Sequence, residues 1–566
     1  MIENAVGARH PVKIVLLSLS ISVTAALVFY VCFLDRMIVA MYRGESLPFL
    51  NHLIHNTDAT PLSYYLIRGR LLFSYLILLG VVAHLILAAA LAYRVTRRIV
   101  VDFFTTPTSP LNLAVFRVAV FLGVLSQIHP SETIWFGKVP HVLQMAPVGV
   151  GWLLPHLPIS ESSMTLAVTL LIIVCVTGLL GLLTRTSAVL ALIGSFYVLG
   201  VPEFYGTVEH YHHLIWFLAI LAVSPSGDAL SVDAFLKVSK RMNNGLSALP
   251  PPSVVYSLPL RFAALLIGII YFFPGLWKIR ISGFDWAFTD NLRYVMYARW
   301  ADLDAFTPFF RLDLHPWLYR SVAFGTLVFE LSFIFAVFFS RLRPLLALVG
   351  VGFHFGSGMF MRIPFFDLWI CYVVLFDVSG WLATRGPRVF RSRLAARMLM
   401  HDSPVDLDSR NVAVGGFGHR RYMPVAIVGT MLLIACCYWG SRGIVRGWPF
   451  ACYPRFAWNP GSEVESLEIS AVTPAGDIVF QGTPDLHRAL PYHAFGGQLG
   501  SLLGTRKQDP SGFAQRMLAL WSLHVQQYPP LAKASIIRCY RVTLNTVPEL
   551  RSENPVQREL IFELRL

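Results

Sequence analysis

Five apolar runs of about 18 residues or more, near 13–34, 71–93, 163–183, 318–340 and 423–440, point this chain to a lipid bilayer, whose hydrocarbon thickness such runs match. Six more, at 111–128, 187–203, 211–226, 258–277, 343–361 and 366–384, are apolar but broken by polar residues such as Arg117, His354, Asp367 and Asp377. Backbone groups in lipid must satisfy one another, so helices are the expected element. The fold class predicted is an all-α polytopic membrane helix bundle of about 11 transmembrane helices, followed by a small C-terminal α+β extramembrane domain. Composition agrees: 55% of residues are hydrophobic and 14% charged, where a soluble domain carries about 25% charge.

A net charge of +14 raises the question of nucleic acid, but the basic residues lie in short segments between apolar runs and form no single patch. They read as topology signals, and no nucleic-acid partner is expected. With a cytoplasmic N-terminus, the clusters Arg94/Arg97/Arg98, Arg185, Lys237/Lys240/Arg241, Arg341/Arg343 and the arginines from Arg385 to Arg421 fall inside. This places the C-terminus outside, as in a bacterial inner (plasma) membrane protein. Arg36, Arg43, Arg68 and Arg70, and later Arg280, Arg293, Arg299 and Arg311, run against that bias. The first apolar run outlasts a signal h-region and has no evident cleavage site, so it reads as an anchor that stays.

The expected organisation is an N-terminal two-helix membrane extension over 1–105, a transmembrane core over 106–385 and an Arg-rich cytoplasmic linker over 386–422. A last transmembrane helix at 423–445 and a periplasmic soluble domain over 446–566 follow. In that last domain, alternating stretches from Glu463, from Asp477 and over Ile536 to Leu544 predict strands. Phe513 to Tyr528 spaces Met517, Leu518, Leu520, Trp521 and Leu523 as an amphipathic helix. Cys452 and Cys539 both belong to this domain. They are a disulfide if it faces an oxidising compartment, or otherwise two buried thiols.

Ionisable residues within apolar spans are costly and are candidates for function by default. Lys278 ends the run from Leu265 at the predicted outer boundary, where lysine should be scarce. Two readings are open: an amine snorkelling to headgroups, or a desolvated amine that acts as a base. His210, His212 and His213 open the next-upstream apolar run at the same predicted level; no carboxylate or cysteine stands at ligand spacing, so no metal is predicted. His354, between Gly352 and Gly356, reads as a packed histidine where two helices approach closely. Glu330 and Arg117 are further intramembrane charges, either paired or structural, and the sequence does not pair them. Phosphate-loop, zincin and nucleophile-elbow signatures are absent from the sequence.

The block HHLIWFLAILAVSPSGDALSVD from His212 to Asp233, then YFFPGLWKI from Tyr271 to Ile279 and Trp286, resembles the horizontally transferred transmembrane (HTTM) family. That family includes the vitamin K-dependent γ-glutamyl carboxylases. The likeness runs from about 110 to 385, with LAVFR from Leu113 to Arg117 resembling the family's opening helix. It implies that Lys278 is the catalytic base acting on a reduced, vitamin K-like quinone, assisted by His212, with His213 the competing alignment. It also implies chemistry at the outer face, possible carboxylation, and a secreted or periplasmic protein substrate.

Two functions follow from these readings. One is an outer-face membrane enzyme using a lysine base on a quinol-type cofactor. The other is a non-catalytic scaffold or export partner whose outer domain binds another protein. A transporter would call for inverted repeats and paired broken helices, which the sequence does not display.

Overall fold

The computed structural model describes residues 3–51, 54, 61–206, 208, 210–243, 250–283, 285–302, 306–363, 365–385, 419–451, 456–458, 460–482, 503, 506, 509–551 and 555–566. The chain divides into two compact units, Met1–Thr106 with Val148–Leu157, and Pro107–Pro147 with Pro158–Leu566.

In the first unit, α1 (Glu3–Phe29) runs through a π turn (Tyr30–Leu34) into a further helical stretch that ends on left-handed Gly44. It packs against α2 (Leu62–Ala92), where Phe29 meets Phe73 at 5.3 Å and Arg70 Nε donates to Asp35 at 2.9 Å. Two of the arginines that oppose the charge bias lie in this hairpin, and Arg70 is held there by a carboxylate. Beyond α2 the chain bends by 101° into α3 (Arg94–Thr105).

The second unit holds most of the membrane helices: α4 (Pro110–Gln127), α5 (Glu161–Leu180), α6 (Thr184–Val198), α7 (His213–Ala222) and α8 (Val254–Ser282). After them come α9 (Asn291–Asp302), α10 (Pro316–Ala336), α11 (Arg343–Met361) and α12 (His419–Arg442). Their starts follow local chemistry: Ser109, Ser160 and Ser253 cap α4, α5 and α8 by accepting a first-turn backbone N–H. Gly181, left-handed at φ 72°, ends α5.

Among the described residues, seven helices are long and apolar enough to cross a membrane, or up to nine if each of two bent pairs is one span. The sequence expectation of about 11 is therefore too high. Part of the excess is 211–226: its helix, α7, has 10 residues, about 15 Å, half the hydrocarbon thickness. It is buried on nearly every side, so its hydropathy reports protein neighbours rather than lipid. The run at 366–384 is likewise broken, by 68° between Phe366–Leu375 and Val378–Arg385.

α8 is the central pillar of this unit. Gly268 and Gly275 bring α10 close: a Cβ on them would lie 2.9 Å from Ile334 Cα and from Glu330 Cβ. On another side α12 runs parallel to α8, and its glycines admit aromatic rings; a Cβ on Gly429 would lie 2.3 Å from the Phe262 ring, and one on Gly440 2.2 Å from Phe273.

Past α12 stands a four-stranded antiparallel sheet of order β2-β1-β3-β4, built from β1 (Glu463–Val472), β2 (Ile478–Gly482), β3 (Ile536–Asn545) and β4 (Gln557–Arg565). Helix α13 (Pro510–Gln527) lays Phe513 against Phe562 of the sheet and buries Met517, Leu520, Trp521 and Leu523, while Leu518 is exposed. The strand expectations hold for β1, β2 and β3. β4 was not expected, because its charged residues mask the alternation; two of them pair across the sheet with β3 as Arg538–Glu563 and Arg541–Glu559. Cys539 is fully buried, and burial pushes its thiol up to about 12. Its possible partner Cys452, and 386–418 of the expected linker, lie outside the described residues.

Candidate functional site

Tyr271, Gly275 and Lys278 recur at i, i+4 and i+7 and so share one face of α8. That face meets Glu330, which α10 brings in against the bare side of Gly275. Lys278 Nζ donates to both carboxylate oxygens of Glu330, at 2.5 and 2.7 Å, with the two side chains 6% and 5% exposed. The amine also lies 4.9 Å from the Trp286 ring centroid, on a ring buried to 2%. Of the two readings open for Lys278, snorkelling to headgroups is not what the fold adopts: the amine turns into the bundle. The pairing also separates the two charges left open above, because Arg117 is occupied elsewhere. It donates to the carbonyl oxygens of Ser226, at 2.7 Å, and of Leu230, securing the loop after α7.

A cavity of about 530 Å³ opens beside the pair, within the range of small-molecule sites. Its walls come from α8, α9, α10, α11 and α12, with Phe450, Ala451 and Phe456 covering one end. Lys278, Glu330, His210, His212 and His354 interrupt an otherwise largely apolar lining. His212 therefore shares the cavity with Lys278, and its ring rests on Trp216 at 4.9 Å. His213 does not line it. It is buried between its own chain and the 366–369 turn, with Nδ1 3.1 Å from the His210 carbonyl and Nε2 3.2 Å from that of Asp367.

Deeper along the same face of α8, the Tyr271 hydroxyl lies 2.5 Å from His354 Nε2 and hydrogen-bonds the Tyr372 hydroxyl. His354 is 4% exposed, and its Nδ1 has no hydrogen-bond partner. The histidine is packed between helices, as expected, but the close helix approach expected of Gly352 and Gly356 does not occur. Both line the cavity, and a Cβ on either would meet nothing within 4 Å. Tyr271 and Tyr372 went unnoticed in the sequence as site residues; the spacing from Tyr271 to Lys278 was the one signal for the first, and nothing local marks the second.

The rim is tied down by groups outside the spans. Tyr297 of α9 donates to Asp313 at 2.8 Å, and Arg311 grips both Asp313 oxygens at 2.9 and 2.7 Å while reaching Glu549 at 2.6 Å. Burial alone would raise Asp313, but the Arg311 and Tyr297 hydrogen bonds outweigh it and hold the carboxyl below its ordinary value. The Arg311 hydrogen bond likewise lowers Glu549. Arg293 lies 2.9 Å from the Tyr297 hydroxyl, and Arg299 donates to the Met361 carbonyl at 3.2 Å. The arginines of 279–317 that oppose the charge bias are thus bound into structure. Two indoles fasten the covering segment: Trp216 Nε1 donates to the Pro449 carbonyl at 2.7 Å and Trp286 Nε1 to that of Phe456 at 2.6 Å.

Residues 105–381 match the family profile of the HTTM domain. No curated protein and no solved structure matches the chain. The matched stretch contains Lys278, Glu330, His212, His354 and the four helices α8 to α11 that wall the cavity. The chain is a multi-pass membrane protein whose residues 105–381 form an HTTM domain.

Proposed function

We propose that the cavity is the active site of a membrane enzyme in which the Lys278 amine acts as a base toward a reduced quinone-type lipid. The observation that carries this reading is the buried Lys278–Glu330 pair on the wall of a largely apolar cavity. A lysine held out of water is a far more responsive proton acceptor than one in solvent. The fit of the cavity to a flat, mostly apolar ligand with polar oxygens rests on its volume, its lining and the unpaired His354 Nδ1. A reduced quinone bound there would supply an acidic ring hydroxyl and reducing power.

The chain's own residues divide the remaining work. Glu330 orients Nζ through two hydrogen bonds, and the Trp286 ring face stabilises the ammonium once Nζ has taken a proton. His212, on the same cavity, is the candidate assisting group; His213, with both ring nitrogens beside backbone carbonyls, is the weaker choice. The apolar walls and the covering segment exclude water. The HTTM resemblance to γ-glutamyl carboxylases and the basic-residue bias together support an outer-face location in a bacterial inner membrane, a periplasmic C-terminal domain and a secreted or periplasmic protein substrate. Carboxylation is the reaction class this favours.

The test is quinol-dependent turnover by the purified full chain in lipid, with and without Lys278→Ala. Loss of turnover with normal membrane insertion is expected. The double variant Lys278→Met/Glu330→Leu, which leaves no buried charge behind, guards against misfolding of the single one. Undiminished turnover in either variant overturns the assignment, and leaves the scaffold reading, in which the C-terminal domain binds another protein.

A further inference from the structure

The cavity carries two polar stations on one wall, and the proposed base uses only the first. Tyr271 and Lys278 stand seven residues apart on one face of α8, two turns and about 10 Å along the axis. At the level of Tyr271, His354 reaches in from α11 and Tyr372 from the chain after 369.

The hydrogen-bond direction in this cluster can be worked out by counting protons. Among the described residues the Tyr372 hydroxyl has Tyr271 as its hydrogen-bond partner and no other. If Tyr372 donates to Tyr271 and Tyr271 donates to His354 Nε2, both hydroxyl protons are used. The reverse direction strands the Tyr372 proton in a buried site. In the favoured arrangement Nε2 is the acceptor, so the imidazole proton sits on Nδ1. Nδ1 is the atom that has no partner, on a residue that lines the cavity. Buried donors are almost always paired, and this one is paired only when something occupies the cavity.

Resting on the proposed quinone reading, we infer that His354 is a positioning residue, donating Nδ1–H to a second oxygen of the ligand whose first oxygen meets Lys278. Allowing about 2.8 Å for each hydrogen bond, the separation of about 10 Å leaves about 5 Å between the two ligand oxygens. That is the span across a single six-membered ring. The ligand class is then a ring with oxygen functions at opposite positions, and a ring with one oxygen fills only one station. Tyr271 and Tyr372 act through His354 by fixing its tautomer.

The experiment is binding to the purified full chain in detergent, followed by quenching of tryptophan emission, since Trp216 and Trp286 line the cavity. The probes are 2-methyl-1,4-naphthoquinone and its one-oxygen analogue 2-methyl-1-tetralone. The native protein is expected to prefer the two-oxygen probe by about tenfold, the worth of one good hydrogen bond. His354→Phe should bind both probes alike, and Tyr271→Phe, which leaves the imidazole but frees its tautomer, should lower the preference severalfold. If either variant keeps the full native preference, the role of His354 is overturned while the quinone reading stands. If the native protein binds neither probe, the quinone reading itself fails, and this inference with it.

Discussion

Lys278 and Glu330, 52 positions apart in the chain, meet at 2.5 Å in a part of the bundle where each side chain is almost wholly buried. Removing one partner strands a buried charge, whereas removing both leaves an apolar contact. Glu330→Leu or Lys278→Met alone should therefore destabilise the protein by about 3 kcal/mol or more, while the double variant should lie close to the native protein. Thermal unfolding of the full chain in detergent measures all three, and additive losses in the double variant would refute the coupling.

The two helix glycines on either side of the site should respond in opposite ways. Gly352 faces open cavity, so Gly352→Leu should leave the fold at least as stable, since glycine within a helix costs about 0.5–1 kcal/mol relative to alanine. The same leucine should weaken naphthoquinone binding about tenfold or more by filling the space. Gly275→Ala instead puts a methyl 2.9 Å from Glu330 Cβ, and should cost about 1–3 kcal/mol by pushing α10 outward. Paired binding and unfolding measurements separate the two.

The rim clamp has a pH signature. Asp313 and Glu549 are both held below their ordinary values, so their contribution is fully present above the unfolded carboxylate pKa of about 4 and is lost as pH falls through the lower folded values. Protease resistance of the C-terminal domain in detergent should therefore stay level from about pH 8 to 5 and drop only below about pH 4. A loss already complete at about pH 6 would point to a histidine instead. Arg311→Ala, which leaves Asp313 buried without its guanidinium, should produce the same loosening at neutral pH, and Glu549→Ala much less, since Glu549 is 53% exposed.

Arg117 makes a structural prediction rather than a catalytic one. Its guanidinium spans two carbonyl oxygens of the 226–230 loop, and lysine cannot reproduce that fork. Arg117→Lys should destabilise the protein by about 1–3 kcal/mol, with naphthoquinone affinity unchanged in the fraction that remains folded. A lost affinity at native stability would place Arg117 in the site.

Lys278 is legible in the sequence because an amine at the end of an apolar run is costly wherever it turns, and that cost is local. Its direction is not legible, since it depends on Gly275 admitting a carboxylate from a helix two elements further on. His212 and His213 look alike as neighbours, and only the handedness of the turn into α7 decides which one enters the cavity. The miscount of spans has one cause repeated: hydropathy registers burial, and α7 is buried in protein. β4 was hidden for the converse reason, because its charges are partnered across the sheet.

The parallel contact between α8 and α12 is fixed at two points, Phe262 in the notch of Gly429 and Phe273 in that of Gly440. The spacing is the same on both helices, 273 − 262 = 11 and 440 − 429 = 11, close to three helical turns. A helix indexed this way behaves like a ruler pinned at two marks. Its lipid-facing side chains can vary freely, but adding or removing one residue between the pins swings one notch about 100° away from its ring. The vertical position of everything that follows α12, including the segment over the cavity and the sheet beyond, is therefore set by residue count rather than by composition.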